Sequence, residues 1–148
     1  MASTEIQYPS PAYSLPAAIS RHVVRLFSEY TGRGPTKART LISENVIVCV
    51  THDTLTKGER RLVEEGEAEM VISIRRKFQH TMREELVGGI KLLTGRTVVS
   101  FMSDHDADRD YAAEVFVLDA APGEQGRSAE SEARPEDQDK GLSRRQAG

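Results

Sequence analysis

Apolar residues at Ile19, Val23, Leu26, Phe27 and Tyr30 recur at helical spacing and predict a first helix with one buried face. Ser14 stands where an N-cap belongs, and Pro16 falls in the first turn. Gly32 supplies a C-terminal stop, and Pro35 keeps the helix from resuming. From Lys37 the period shortens to two. Ala38 to Ile42 reads as a short strand, Ser43-Glu44-Asn45 as a turn, and Val46-Ile47-Val48-Cys49-Val50-Thr51 as a second strand. That second run is almost wholly β-branched. Both of its faces are apolar, which predicts that both are covered.

Thr56-Lys57-Gly58-Glu59 has capping-box spacing and opens a helix through Leu62 and Val63. Gly66 either ends it or makes a loose joint. Beyond it, Met70, Ile74, Phe78, Met82, Leu86, Ile90 and Leu93 form a sustained stripe at helical spacing. Acidic Glu67 and Glu69 near its start and Lys91 near its end suit the helix dipole, and Gly95 follows as a stop. Thr97 to Met102 and Tyr111 to Leu118 read as two further strands around a polar connection. The order is helix, β-hairpin, two helices (one long), β-hairpin. It predicts an α+β fold with a four-stranded mixed or antiparallel sheet and helices on one face.

At about 1.5 Å per residue the long helix measures roughly 40 Å. A folded unit of this size has a diameter of about 33 Å. The helix must therefore overhang, bend at Gly88-Gly89, or pack on a second copy. Pairing is the reading preferred from the sequence, which makes a homodimer the expected assembly.

Composition sets the boundaries. Of the 148 residues, those near the start are rich in Pro and Ser, and those after about Pro122 have almost no large apolar side chain. Residues 1–14 and 121–148 are therefore expected to be disordered, with one folded unit over 15–120. The net charge of −3 is spread among interspersed signs, which argues against nucleic acid as a partner. Cys49 is the one cysteine, so neither an intrachain disulfide nor a thiolate metal cluster is available, and a cytoplasmic location fits. No apolar run reaches the roughly 18 residues of a membrane span, so any membrane role is expected to work through a protein partner rather than by direct insertion.

The best candidate site is the turn Gly32-Arg33-Gly34-Pro35-Thr36-Lys37-Ala38-Arg39. Its backbone N–H groups around Gly34 can form an anion nest, with charge from Arg33, Lys37 and Arg39. The same residues also make a stiff helix-to-strand corner, and both readings stay open. The segment is no P-loop, because it leaves a helix and enters a strand.

Asp104, Asp106, Asp108 and Asp110 alternate as in a calcium loop, but the sixth position from Asp104 is Arg109 rather than Gly. A polar hairpin turn is expected, with no metal. Arg75, Arg76, Lys77, His80 and Arg83 form a basic band read as a solvated helix face. Glu114 is placed on the solvent face of the sheet or paired with Arg39 or Arg96. His22 is expected on the surface, His52 and Asp53 in structural roles at a strand end, and Cys49 in the core. No catalytic residue or cofactor is predicted.

Gly32-Arg33-Gly34-Pro35, Lys37-Ala38-Arg39, Leu55-Thr56 with Glu59, and Leu62-Val63-Glu64-Glu65-Gly66 form the first part of an ordered set of motifs. Phe78, Met82-Arg83, Leu93-Thr94-Gly95-Arg96, Phe101, Ser103-Asp104, Asp110 and Glu114-Val115-Phe116-Val117-Leu118 complete it. This set resembles the MpsC-like domain family, named for the third component of a Na⁺-translocating, membrane-potential-generating system. The resemblance covers residues 15–120. It implies a soluble accessory domain associated with membrane proteins of cation transport and inorganic-carbon uptake, and it implies no catalytic residue. The functional expectation is a non-enzymatic cytosolic accessory or regulatory domain with a possible membrane transport partner. The alternative is a small anion- or ligand-binding regulatory module using residues 32–39.

Overall fold

Ser14 sets where the first helix begins: its hydroxyl accepts a hydrogen bond from the Ala17 N–H at 3.3 Å. Helix α1 (Leu15–Thr31) carries Pro16 in its first turn and ends at Gly32, whose φ of 78° is the left-handed stop that glycine adopts readily. Strands β1 (Lys37–Ser43) and β2 (Val46–His52) form the first hairpin. Helix α2 (Lys57–Glu64) opens on the Thr56–Glu59 capping box, and α3 (Ala68–Thr94) follows after Gly66 at φ 88°. Strands β3 (Val98–Asp106) and β4 (Tyr111–Leu118) form the second hairpin. The computed structural model describes residues 14–123. The terminal segments read as disordered lie almost wholly outside the described residues.

The sheet runs β1-β2-β4-β3 and is antiparallel at every pairing. The α+β expectation therefore holds, in its antiparallel form. β2 and β4, the most apolar strands, occupy the centre. Helix α1 packs on β1 and β2, α3 packs on β3, and the two helices lie against each other. The core forms where Ile19, Val23, Leu26 and Phe27 of α1 meet Met82, Leu86 and Ile90 of α3 over Ile47, Cys49, Phe116 and Leu118 of the sheet. Cys49 is a buried core residue, as read from the sequence.

Four expectations are corrected. Only the middle of the C-terminal half of the predicted α3 stripe is buried, and Leu93 at its end is 40% exposed. Met82, Leu86 and Ile90 are inside, whereas Met70 and Ile74 are 50% and 40% exposed. In the N-terminal half the inward face is shifted by one residue, to Val71, Arg75 and Gln79. The reason is polar: Arg75 and Gln79 find carboxyl partners inside (Glu59 and Glu114), so the helix buries them instead. Arg75 is thereby removed from the basic band.

Glu114 is the second correction. Its carboxyl is fully buried beneath α3, where Gln79 Nε2 donates to it at 3.3 Å, and no arginine pairs with it among the described residues. His22, expected at the surface, wedges against α3. Its Nε2 lies 3.1 Å from the Glu85 carbonyl and 3.2 Å from that of Leu86. Gly89 makes room for it, because a Cβ there would sit 2.0 Å from His22 Nε2. Finally, the outer face of β2 is not covered by any described element; Val46, Val48 and Val50 are half-buried on an otherwise open sheet face.

Candidate functional site

The sequence motifs converge at one end of the sheet, where the α1–β1 corner, the β2–α2 connection and the β3–β4 turn meet. Arg33 reaches across this end. Its Nη1 donates to the carbonyls of Asp53 (2.6 Å) and Leu55 (3.0 Å), and its Nη2 donates to Asp53 Oδ2 at 2.9 Å. Thr36 adds a hydroxyl donor to the same oxygen at 2.9 Å. Arg60 from α2 pairs with the other Asp53 oxygen. Asp53 holds a positive φ of 59°, a conformation that Asp tolerates better than most residues, and this turns its side chain toward the two arginines.

Asp110, in the turn just before β4 with φ 56°, is the second hub. Its Oδ1 accepts from the Thr54 N–H (3.0 Å) and hydroxyl (2.8 Å), and its Oδ2 accepts from the Leu55 N–H at 3.0 Å. Burial opposes ionisation here, but the Leu55 and Thr54 donors outweigh it and hold the carboxyl below its ordinary range. Asp110 thus satisfies backbone donors of the β2–α2 connection, which has no ladder partner there.

The third pair lies deepest. Arg75, 1% exposed, donates Nε to Glu59 Oε2 at 2.6 Å and Nη2 to the Thr54 carbonyl at 2.9 Å. Burial opposes ionisation of Glu59 too, yet Arg75 and the Thr56 N–H keep its carboxyl below the usual value. His105 sits beside this pair. Burial and then the Arg75 charge depress its pKa, against the pull of Asp110, so its imidazole is neutral at pH 7. Its Nε2 stands 3.3 Å from Asp110 Oδ1 and 3.4 Å from Thr54 Oγ1. A carboxylate only accepts, so Nε2 carries the hydrogen. A histidine relay needs one nitrogen on the acid and the other on the nucleophile. Here both partners crowd the same nitrogen, and Nδ1 is buried without a hydrogen-bond partner.

A family model described as "Na+-translocating membrane potential-generating system (MpsC)" matches residues 13–120. The chain belongs to the MpsC family. It is similar to the "Uncharacterized protein YrhF" of Bacillus subtilis (strain 168), with 28% identity over 109 residues, 72% of this chain and 89% of the relative. No solved structure matches.

Within this MpsC domain the residues of the 32–39 turn separate. Arg33 turns inward to Asp53, and its N–H lies 3.5 Å from Thr31 Oγ1. Gly34 packs on α1, where a Cβ would meet Val24 and Ser28 at 3.3 Å. Lys37 and Arg39 point the other way, exposed on the open sheet face. The corner reading accounts for Gly32, Gly34 and Pro35 by backbone geometry and close packing.

Sequence reading gave His52 and Asp53 structural roles, and both hold them; His52 Nδ1 lies 3.0 Å from the Asp110 carbonyl and its ring stacks on Tyr111. Asp110 and His105 were missed as parts of this network. Asp110 had a signal, since Asp at a hairpin end readily takes positive φ and binds nearby N–H groups. No group of three or more His, Cys, Asp or Glu side chains is arranged to hold a metal among the described residues. No described helix is long and apolar enough to cross a membrane.

Proposed function

We propose that this chain is a non-enzymatic cytosolic accessory or regulatory domain, acting as a homodimer, for a membrane protein complex that moves Na⁺ and sets membrane potential. The observation that carries the reading is the family match over residues 13–120. The self-paired polar network supports it. Asp53, Asp110 and Glu59 are each met by arginines or by backbone and hydroxyl donors, and His105 is not arranged as a relay. Such a network fixes the shape of a domain. The membrane connection then runs through a protein partner.

The test is physiological. Deleting the chain in its own host should lower the membrane potential, read with a potential-sensitive dye, in a Na⁺-dependent way. Crosslinking should recover it with an integral membrane cation transporter. A potential that is unchanged at every Na⁺ concentration overturns the reading.

The alternative, an anion-binding module at residues 32–39, has narrower support. Lys37 and Arg39 lie exposed two residues apart on one face, whereas Arg33 is already engaged. Calorimetry with phosphate and bicarbonate decides it. Heats that persist in wild type and vanish in Lys37→Ala/Arg39→Ala favour a binding module.

A further inference from the structure

The open face of the sheet carries an apolar row across all four strands. Leu41, Val48, Val115 and Met102 are successive register neighbours on β1, β2, β4 and β3. Leu41 and Met102 at its two ends are 54% and 52% exposed. The next two rows end in charges, and the sign depends on the edge. Arg39, Val50, Ala113 and Asp104 form one; Lys37, His52, Tyr111 and Asp106 form the other. The β1 edge is therefore basic and the β3 edge acidic, on the same face and at the same heights along the strands. Asp104 is met by Arg76 and Asp106 by Arg109, each at 3.7 Å in exposed geometry, which is worth little.

We propose that a second copy of this chain packs on this open face, related by a two-fold axis parallel to the strands and passing between β2 and β4. Rotation about that axis lays β1 of one copy over β3 of the other and keeps every row at its own height. Lys37 then faces Asp106 of the second copy and Arg39 faces Asp104, twice by symmetry. Leu41 meets Met102 of the second copy, and Val48 meets Val115, so the apolar row closes on itself. Two sheets packed about 10 Å apart with strands aligned within about 30° are a common sandwich geometry. The other two-fold axis in the interface plane would lay β1 on β1 and bring the two basic edges together. The charge pattern selects between these axes. Covering this face also supplies what the two-sided apolarity of β2 calls for. The inference rests on the homodimer reading above and names its interface. Met70 and Ile74, exposed on α3, provide the competing face and the control.

Sedimentation velocity on the full chain tests it, with circular dichroism as the check on folding. Wild type should be dimeric. Val48→Asp should weaken the dimer by about tenfold or more, as should the exposed double reversal Lys37→Glu/Arg39→Glu. Adding Asp104→Lys and Asp106→Lys to that reversal should restore the dimer, because the edges are again opposite in sign. Ile74→Asp should leave it intact. If Ile74→Asp dissociates a dimer that the sheet-face variants leave untouched, or if the fourfold reversal fails to restore association, this interface is wrong while the homodimer reading stands. A wild-type chain that stays monomeric at high concentration overturns both.

Discussion

Arg75 of α3 grips Glu59 of α2 through two hydrogen bonds, Nε to Oε2 at 2.6 Å and Nη2 to Oε1 at 2.5 Å. Glu59 is also the N3 residue of the α2 capping box, receiving the Thr56 N–H at 2.9 Å. One carboxylate therefore starts a short helix and ties it to the long one. Helix α2 has no fully buried residue of its own, so this tie, with the Arg60–Asp53 pair, helps to seat it.

Removing the guanidinium should cost more than a surface charge would. Arg75→Ala leaves Glu59 short of its partner and the Thr54 carbonyl without a donor, and is expected to destabilise by about 3–5 kcal/mol. Arg76→Ala, one residue along and exposed, should stay within about 0.5 kcal/mol of wild type. Urea unfolding of both variants makes the comparison. Equal losses would show that the buried pair contributes nothing beyond an ordinary surface arginine.

Much of the frame was legible because its signals are local. Ser14, Gly32, the Thr56–Glu59 box and Gly95 mark element ends by chemistry that needs no tertiary context. What escaped depends on partners distant in sequence. The α3 stripe was read from apolar residues alone, so Arg75 was assigned outward and Gln79 was left out, although Glu59 and Glu114 draw them in. Parity could not place Glu114, because both faces of β4 are apolar: Ala112, Phe116 and Leu118 on one side, Ala113, Val115 and Val117 on the other. Arg33 lost its reading as a free cation to Asp53, twenty residues away in the chain.

Gly89 and His22 should behave as one unit. Gly89→Ala would place a Cβ 2.0 Å from His22 Nε2 and force the ring off the Glu85 and Leu86 carbonyls. The expected cost is about 1–3 kcal/mol. At Gly88 a Cβ meets nothing within 4 Å, so Gly88→Ala should stabilise by up to about 1 kcal/mol through helix propensity. In a His22→Ala background the Gly89→Ala penalty should disappear. Thermal unfolding of the four variants provides the cycle, and a penalty that survives without His22 would refute the steric account.

Asp110 should set the acid limit of the fold. Asp110→Ala strands the Thr54 and Leu55 N–H groups and is expected to cost about 1–3 kcal/mol. In wild type the carboxyls of Asp110 and Glu59 are held below their ordinary values of 3.8 and 4.5. Their contribution is complete above those values and is lost as pH falls through the depressed ones. Stability of wild type should therefore drop steeply below about pH 4. Asp110→Ala should drop less steeply over the same range, and parallel curves would show that Asp110 does not carry the linkage.

Glu114 should tilt stability the opposite way. Burial raises its pKa from 4.5 to about 8, against the opposing influence of Ser103 and Gln79, so the folded chain holds a proton at neutral pH that the unfolded chain has released. Between those two values the folded state binds more protons, and the free energy of unfolding must fall as pH rises. The stabilising share is complete below pH 4.5 and is gone above about 8. Glu114→Gln keeps the shape and leaves an amide able to partner Gln79, but it has no proton to lose. The variant should lose the decline that Glu114 gives wild type between pH 5 and pH 8, leaving the rise below pH 6.5 that the depressed pKa of His105 contributes, and it should be the more stable of the two at the alkaline end. Urea midpoints measured across that range test this directly. A wild-type slope that persists in Glu114→Gln would mean that another group carries the proton.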